Sequence, residues 1–385
     1  MINKKELELY FHIPFCVRKC LYCDFLSAPA AEETKTRYME ALIRETSKRA
    51  GDYRDHRVVS VFVGGGTPSA VEAGLLTKLL AAAFENYDTA EDAEITVEVN
   101  PGTVDGDKLH AYRKAGVNRL SIGLQSANDK ELKTIGRIHT YAQFLETYRT
   151  ARDCGFTNIN VDLMSALPGQ TLKDYLRTLQ TVLALDPPPE HISAYSLIPE
   201  EGTPLYEMVR KGTLQLPDEE CDRMMYEKTA ELLGKAGYHR YEISNYAKEG
   251  FRCRHNCGYW RRREYLGLGI GAASLVGDCR FRNGDSLEAY LSDPLGQQEE
   301  RQELTTEEQM EEFMFLGLRM TEGISLCEFQ DTFGNEIEDI YGTVIEKNLR
   351  LGLLQYSQGE KEEKRLALTE KGLDVSNAVM AQFLL

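Results

Sequence analysis

The sequence predicts an α/β protein: a partial (β/α)6 TIM-type barrel followed by a C-terminal winged-helix-like α+β domain. Three observations predict it. Over residues 1–200, short β-branched runs alternate with longer amphipathic stretches, the pattern of right-handed βαβ units on a parallel sheet. From Thr305 the order changes to three helices, two hairpin-like strands and a last helix. Glycine and polar residues also recur where the strands end, the face on which parallel α/β barrels carry function.

The strands are expected at Leu7–Ile13, Val58–Val63, Ile95–Val99, Arg119–Leu124, Ile159–Leu163 and Ile192–Leu197. Between them, helices are expected at Glu33–Ala50, Ala73–Asn86, Gly106–Ala115, Tyr141–Cys154 and Leu172–Leu185. Periodicity does not fix closure, so a doubly wound sheet is the alternative. Residues 201–298 are less regular, with a helix expected at Asp218–Gly234 and an apolar Gly-rich run, Tyr265–Ser274. The charged stretch Gln297–Arg301 reads as a linker. The last part predicts helices at Thr305–Met320, Ser325–Phe333 and Glu336–Leu351, strands near Leu353–Tyr356 and Arg365–Leu368, and a helix from Glu370. Three units follow: a barrel at 1–200, an extension carrying His255–Trp260 at 201–298, and the winged-helix-like domain at 299–385.

A chain of 385 residues, 42% hydrophobic and 28% charged, is long enough to bury one large core and a smaller one. Its net charge of −16 argues against nucleic acid and anionic membranes as partners. Residues 299–374 alone carry 19 acidic and 8 basic residues, a surface that repels phosphate. The last domain therefore reads as a packing or protein-partner module, with a redox-sensing regulator as a remote alternative. No apolar run reaches about 18 residues, so no transmembrane helix is expected. The N-terminus lacks the apolar core of a signal peptide. Nine cysteines in such a chain suggest metal ligands and buried thiols in a reducing cytosol. Cys154, Cys221, Cys279 and Cys327 read as buried thiols.

Cys16, Cys20 and Cys23 are spaced C-x3-C-x2-C immediately after the first strand. Three thiolates so close can wrap one small metal centre, an iron–sulfur cluster or a zinc ion. Zinc would want a fourth ligand, for which His12 is the nearby candidate. A three-cysteine cluster leaves one iron open to an exogenous ligand. Around the loop fall Gly64–Thr67 after strand two, Glu98 and Asn100 closing strand three, Gln125 ending strand four, Asp162 in strand five and Tyr195 in strand six. Bare backbone at Gly64–Gly66 can approach a ligand closely.

With these residues in place, the chain resembles the radical S-adenosylmethionine (SAM) superfamily. The resemblance points to the branch containing oxygen-independent coproporphyrinogen III oxidase and heme chaperones. It rests on Tyr10-Phe-His-Ile-Pro-Phe-Cys16, the cysteine triplet, Gly64-Gly-Gly-Thr-Pro68, Val97-Glu-Val-Asn-Pro101, Ser121-Ile-Gly-Leu-Gln125, Gly136-Arg137, Val161-Asp162, Leu167-Pro-Gly-Gln170 and Tyr265-Leu-Gly-Leu-Gly269. It implies a [4Fe–4S] cluster on Cys16, Cys20 and Cys23, with SAM on the open iron and, on reduction, cleavage of SAM to a 5′-deoxyadenosyl radical. It further implies SAM contacts from Tyr10, Tyr22, Gly65, Gly66, Thr67, Glu98, Gln125, Arg137 and Asp162, and from Ala194 and Ala273.

The two branches differ at readable places. The oxidase pattern has a further cysteine two residues after the third, where this chain has Phe25, and a longer segment before its first strand than the nine residues preceding Tyr10. The heme-chaperone branch carries H-N-x-x-Y-W, and this chain reads His255-Asn-Cys-Gly-Tyr-Trp260. The expectation is a cytoplasmic heme chaperone with heme as a further cofactor and His255 as heme ligand, Cys253 and Cys257 being lesser candidates. Its partner is expected to be a heme-acceptor protein, membrane-associated acceptors included, with Trp260 as an exposed contact. The alternative is an oxygen-independent coproporphyrinogen III oxidase.

Overall fold

The computed structural model describes residues 4–359 and 363–385. The first half runs β1 (Lys5–Ile13), α1 (Glu32–Arg49), β2 (His56–Gly65), α2 (Ala73–Asn86), β3 (Thr89–Val99), α3 (Gly106–Lys114), β4 (Arg119–Gln125), α4 (Asp129–Thr134), α5 (Tyr141–Asp153), β5 (Ile159–Ser165), α6 (Leu172–Leu183) and β6 (His191–Ser196). These six strands lie in sequential order, each parallel to the next. A doubly wound sheet would reverse its strand order part-way; this one does not. The sheet curls but stays open.

Period-2 alternation explains the two faces of the sheet. In β1, Leu7, Leu9, Phe11 and Ile13 are fully buried in the main apolar core. Glu8, Tyr10 and His12 alternate with them and face the barrel interior. The helices lay their apolar faces on the outer side: α6 buries Tyr175, Leu179 and Val182. A capping box, with Thr140 and Gln143 exchanging backbone hydrogen bonds, starts α5.

The middle of the chain fills both open edges. It comprises α7 (Pro204–Arg210), α8 (Glu219–Lys235), β7 (His239–Arg240), β8 (Asn245–Ala247), α9 (Arg254–Trp260), β9 (Tyr265–Leu268), β10 (Ala273–Val276), β11 (Cys279–Asn283), α10 (Leu287–Ser292) and β12 (Gln298–Glu303). β8 and β7 extend the sheet antiparallel beyond β6, while β9 runs parallel to β1 and leads to antiparallel β10, β11 and β12. The run read as a linker is thus edge strand β12, whose charged, exposed side chains suit an unpaired edge. Cys154 and Cys279 are buried and Cys221 is half-buried, but Cys327 is exposed.

The C-terminal part has the helix–strand–helix–helix–strand–strand order of a winged helix. It runs α11 (Thr306–Gly317), β13 (Ile324–Ser325), α12 (Leu326–Phe333), α13 (Ile337–Arg350), β14 (Leu354–Gln358), β15 (Lys364–Leu368), α14 (Glu370–Asp374) and α15 (Ser376–Met380). A three-stranded antiparallel sheet, β13-β15-β14, covers its own core around Met314, Phe329, Tyr341, Leu366 and Phe383.

Candidate metal and ligand cleft

The loop after β1 leaves the sheet at Pro14 and is closed at its base: the Ala28 amide donates to Pro14 O at 3.0 Å, and the Cys16 amide to Ala28 O at 3.2 Å. Between these ties, Cys16, Cys20 and Cys23 line one wall of a cleft of about 330 Å³ at the C-terminal ends of the strands. Among the described residues no three His, Cys, Asp or Glu side chains converge on one ion-sized point.

The loop after β2 packs directly on the cysteine loop. The Gly66 amide donates to Ile13 O at 2.9 Å and the Thr67 amide to Phe15 O at 2.7 Å. A Cβ at Gly66 would lie 2.7 Å from Phe15 O and 3.0 Å from Cys16 Sγ, so only glycine permits this approach. Gly65 adopts φ +109°, and its amide donates to Glu98 Oε2 at 3.2 Å. Thr67 Oγ1 lies 3.6 Å from Cys16 Sγ and accepts from Asn100 Nδ2 at 2.7 Å.

Arg137 ties the opposite wall together. Its guanidinium donates to Asn100 Oδ1 at 2.8 Å and Gly123 O at 2.5 Å, and reaches Cys20 Sγ at 3.8 Å. Its Nε has no protein partner among the described residues, a buried donor left for a ligand. Gln125 holds φ +69°, a rare conformation for a side-chain-bearing residue, and its Oε1 accepts from Tyr195 at 3.2 Å. Asp162 accepts from Asn160 at 2.7 Å and Ser121 at 3.1 Å. Burial, reinforced by Asp162, pushes the Glu98 carboxyl up to about 8; burial raises Asp162 as well.

Residues 10–182 match the Radical SAM superfamily and residues 304–375 the HemN C-terminal domain. Heme chaperone HemW of Lactococcus lactis is 36% identical over 99% of this chain and 98% of its own length. HemW of Bacillus subtilis is 37% identical over 97% of this chain and 98% of its own. The chain belongs to the HemW family of radical SAM proteins. HemW of Escherichia coli is 39% identical over 72% of each chain. The solved structure of Escherichia coli coproporphyrinogen III oxidase, HemN, superposes with a TM-score of 0.84 at 23% identity, over 99% of this chain and 90% of that one, and shows the shared fold.

Most of the SAM contacts that the HemW resemblance implied meet in this cleft: Tyr22, Gly65, Gly66, Thr67, Glu98, Gln125, Arg137 and Asp162 all line it. The others do not. Tyr10 points into the barrel beneath, its hydroxyl 3.0 Å from His12 Nδ1. Ala194 turns its methyl into the core facing the helices, because its neighbours Ser193 and Tyr195 take the cleft side of β6. Ala273 is exposed on β10, which is separated from β1 by β9.

His255, the expected heme ligand, is also outside the cleft. It is 1% exposed, on the short helix α9 that plugs the barrel from below. Its Nδ1 meets Ser60 Oγ at 2.9 Å and its Nε2 meets the Tyr259 hydroxyl at 3.1 Å, so both ring nitrogens are occupied. Phe62 stacks on it at 5.2 Å. Burial, aided by Arg119 and Arg263, pushes its pKa down to about 3, which keeps the imidazole neutral. Glu94 completes the seat, accepting from the Arg254 amide at 3.1 Å, the His255 amide at 3.3 Å and the Cys253 thiol at 3.4 Å. Cys253 and Cys257 are buried too. Trp260, expected to be exposed, is half-buried beneath Arg319, whose guanidinium carbon lies 4.2 Å from the ring centroid.

Cleft residues missed in the sequence include Ser193, Ser244, Asn245 and Asn256. Alternation on β6 signals Ser193, which shares a face with Tyr195. Asn256 stands in the quoted His255–Trp260 motif, which gave it no role, and no local signal marks Ser244 or Asn245, which reach the cleft only through the tertiary fold.

Proposed function

We propose that this chain is a heme chaperone, which binds heme and passes it to an acceptor protein, and that its cleft carries a SAM-ligated [4Fe–4S] cluster. The observation that carries the cluster assignment is the cleft itself: three thiols on one wall, a glycine loop against them and a hydrogen-bonded polar floor. Cys16, Cys20 and Cys23 would hold the cluster, which together with SAM supplies one-electron chemistry. The full-length likeness to HemW chaperones supports the heme-handling part.

The protein's own groups then have separable tasks. Arg137, at 3.8 Å from Cys20 Sγ, ties the cysteine loop to Asn100 and the Gly123 carbonyl. The Gly65–Thr67 backbone and Glu98 form a corner suited to an amino-acid ammonium, whose charge would offset the burial that keeps Glu98 protonated. Gln125, Asp162 and the Tyr22 backbone are assigned to the rest of SAM. Tyr10, bonded to His12, and Ala194 and Ala273 are assigned no direct contact. The division is a barrel at 1–200, an extension at 201–298 and a C-terminal domain at 299–385, acting in the cytoplasm on an acceptor that is soluble or membrane-bound. Among the described residues no helix is long and apolar enough to cross a membrane.

Anaerobic reconstitution tests the reading. Iron and sulfide should bind and be lost in Cys20→Ala, heme should be taken up and passed to an apo-heme protein, and coproporphyrinogen III should remain unchanged. Conversion of coproporphyrinogen III to protoporphyrinogen would overturn it in favour of the oxidase.

A further inference from the structure

A second cavity, of about 350 Å³, is lined by Glu6, Val59 and Asp92, each within the first four residues of β1, β2 or β3. It therefore lies at the N-terminal ends of the strands, away from the cysteine cleft. Cys257 of α9 lines it as well, and four arginines complete the wall: Arg252, Arg254, Arg261 and Arg263. They belong to residues 252–263, which carry five arginines and no carboxylate in a chain of net charge −16. The fifth, Arg262, turns instead to Glu312 of the C-terminal domain at 2.8 Å. The arginines flank His255 on both sides, so seating that histidine inside the barrel gathers them around this mouth.

The guanidinium groups are only partly engaged. Arg252 Nη1 and Arg261 Nη2 share one carboxylate, Glu322, at 3.1 and 2.6 Å. Arg254 Nη1 donates to Asp92 O at 2.9 Å and to Asp92 Oδ2 at 3.0 Å. Arg263 pairs with Glu6 at 2.9 Å and Glu8 at 3.3 Å. A guanidinium has five N–H donors in a rigid fork. Among the described residues, the remaining donors of Arg252, Arg254 and Arg261 have no protein partner. These three side chains are about half-exposed and Asp92 is 77% exposed, and ion pairs so exposed are weak enough for a stronger anion to displace. Each fork matches two oxygens of one oxyanion. A carboxylate fills a single fork; several forks around one space suit an anion with more oxygens and more charge, a phosphate chain.

We propose that this cavity binds a small phosphate-bearing ligand, its phosphate oxygens on the forks of Arg252, Arg254 and Arg261. The site is separate from the cluster cleft and stands whether or not the chain handles heme. Its position gives it a consequence. α9 carries Arg254 into this cavity and Asn256 into the cysteine cleft, so a phosphate held here steadies the floor of that cleft.

The test is anaerobic titration calorimetry and thermal melting of the full chain with its cluster reconstituted. The probes are pyrophosphate, ADP and citrate, each compared with sodium chloride at equal ionic strength. Pyrophosphate should bind and raise the melting temperature. Arg252→Gln and Arg254→Gln should each weaken its binding about tenfold, the loss of one charge-assisted fork. Asp92→Asn should instead tighten it, because a competing carboxylate is removed while the Asp92 carbonyl still holds Arg254. A merely structural role for these groups would not reverse the sign. Melting without anion, and the iron retained after each titration, check that the variants fold and keep their cluster. ADP binding tighter than pyrophosphate would support the site with a nucleotide as the source of the phosphate; ADP binding no tighter would support it with a free phosphate chain. Citrate binding tighter than pyrophosphate, unchanged affinity in both arginine variants, or no pyrophosphate effect beyond that of sodium chloride would overturn it. No arm contains heme, so failure here leaves the chaperone reading standing.

Discussion

Glu8 is the sharpest test of how the barrel interior is held. It is fully buried; one carboxylate oxygen accepts from Arg263 at 3.3 Å, while the other has no hydrogen-bond partner among the described residues and lies 3.8 Å from His255 Nδ1. Burial outweighs Arg263 and pushes its pKa from 4.5 up to about 8, with Glu94 adding in the same direction. The folded state therefore binds this proton more tightly than the unfolded chain does. Stability is fully present below pH 4.5 and falls as pH rises toward 8. At about 1.4 kcal/mol per unit, the loss is on the order of 3 kcal/mol at pH 7 and approaches 5 kcal/mol above pH 8 as an upper figure. Glu8→Gln keeps the shape and an acceptor for Arg263 but removes the titration.

The assay is urea unfolding of the full chain at intervals from pH 5 to 9, wild type beside Glu8→Gln. The variant should be more stable at pH 8, by one to a few kcal/mol on the scale of a buried, poorly paired charge, and the gap should close toward pH 5. Glu98, also raised to about 8, gives both proteins a shared slope of the same sign, so the difference between the curves isolates Glu8. His255 acts in the other direction: its pKa is lowered to about 3, so its stability contribution is lost as pH falls from 6.5 toward 3. Parallel curves, or a wild type that is the more stable at pH 8, would show that Arg263 keeps Glu8 ionised and would refute the argument.

Three further outcomes are expected. Gly66→Ala should displace the cysteine loop, because the new methyl meets the Phe15 carbonyl at 2.7 Å; the iron and sulfide retained after reconstitution should fall while the far-UV circular dichroism persists. SAM affinity should rise with pH up to about pH 8, by at most about tenfold per unit, since Glu98 must give up its proton to face an ammonium; calorimetry in buffers of different ionisation enthalpy should detect that proton, and Glu98→Gln should remove both effects. Glu45 accepts from the Gly269 amide at 2.9 Å, Asn283 at 2.9 Å, Tyr290 at 2.6 Å and Arg49 at 3.0 Å, so Glu45→Ala should cost about 3–5 kcal/mol in urea unfolding by stranding Arg49 and loosening β9–β11 from α1.

Most of the parallel half of the fold was legible because its longer elements show their period, whereas the six-residue α4 was not expected and β3 starts six residues before its expected bound. β1, β4 and α6 alternate or repeat over seven or more residues, and their observed bounds fall within about two residues of the expectation, the margin at which helix and strand ends are defined. The cleft was legible for the same reason: Glu98 and Gln125 sit at strand ends, Asp162 alternates inward along β5, and topology brings these positions together. The edge strands were not. β7 has two residues and β8 three, too few for any periodicity, and their pairing is decided by the open edge of β6. The placement of His255 was not legible, because a motif carries no orientation. Only the fold shows that α9 turns the imidazole inward, onto Ser60 and Phe62.

That inward turn belongs to a wider pattern. Parallel strands covered on both faces ordinarily bury apolar side chains on both. Here the interior face is polar and yet buried: Glu8, Ser60, Glu94, Arg119, Asn160, His191 and His255 are all below a tenth exposed. His191 links the Tyr241 hydroxyl at 2.9 Å to Asn160 at 2.6 Å, and Asn160 passes the chain to Asp162 at 2.7 Å, on the floor of the cleft. Such a network is favourable only while its members stay paired. Because α9 supplies His255, the Glu94-bound amides and the cleft-lining Asn256 in one turn, it fixes the height and polarity of the cleft floor. Withdrawing His255 to ligate heme would leave Ser60 and Tyr259 unpaired inside the barrel and unseat that floor. A substitution at His255 should therefore disturb SAM and cluster binding together with stability, and loss of heme uptake in such a variant does not by itself identify an iron ligand.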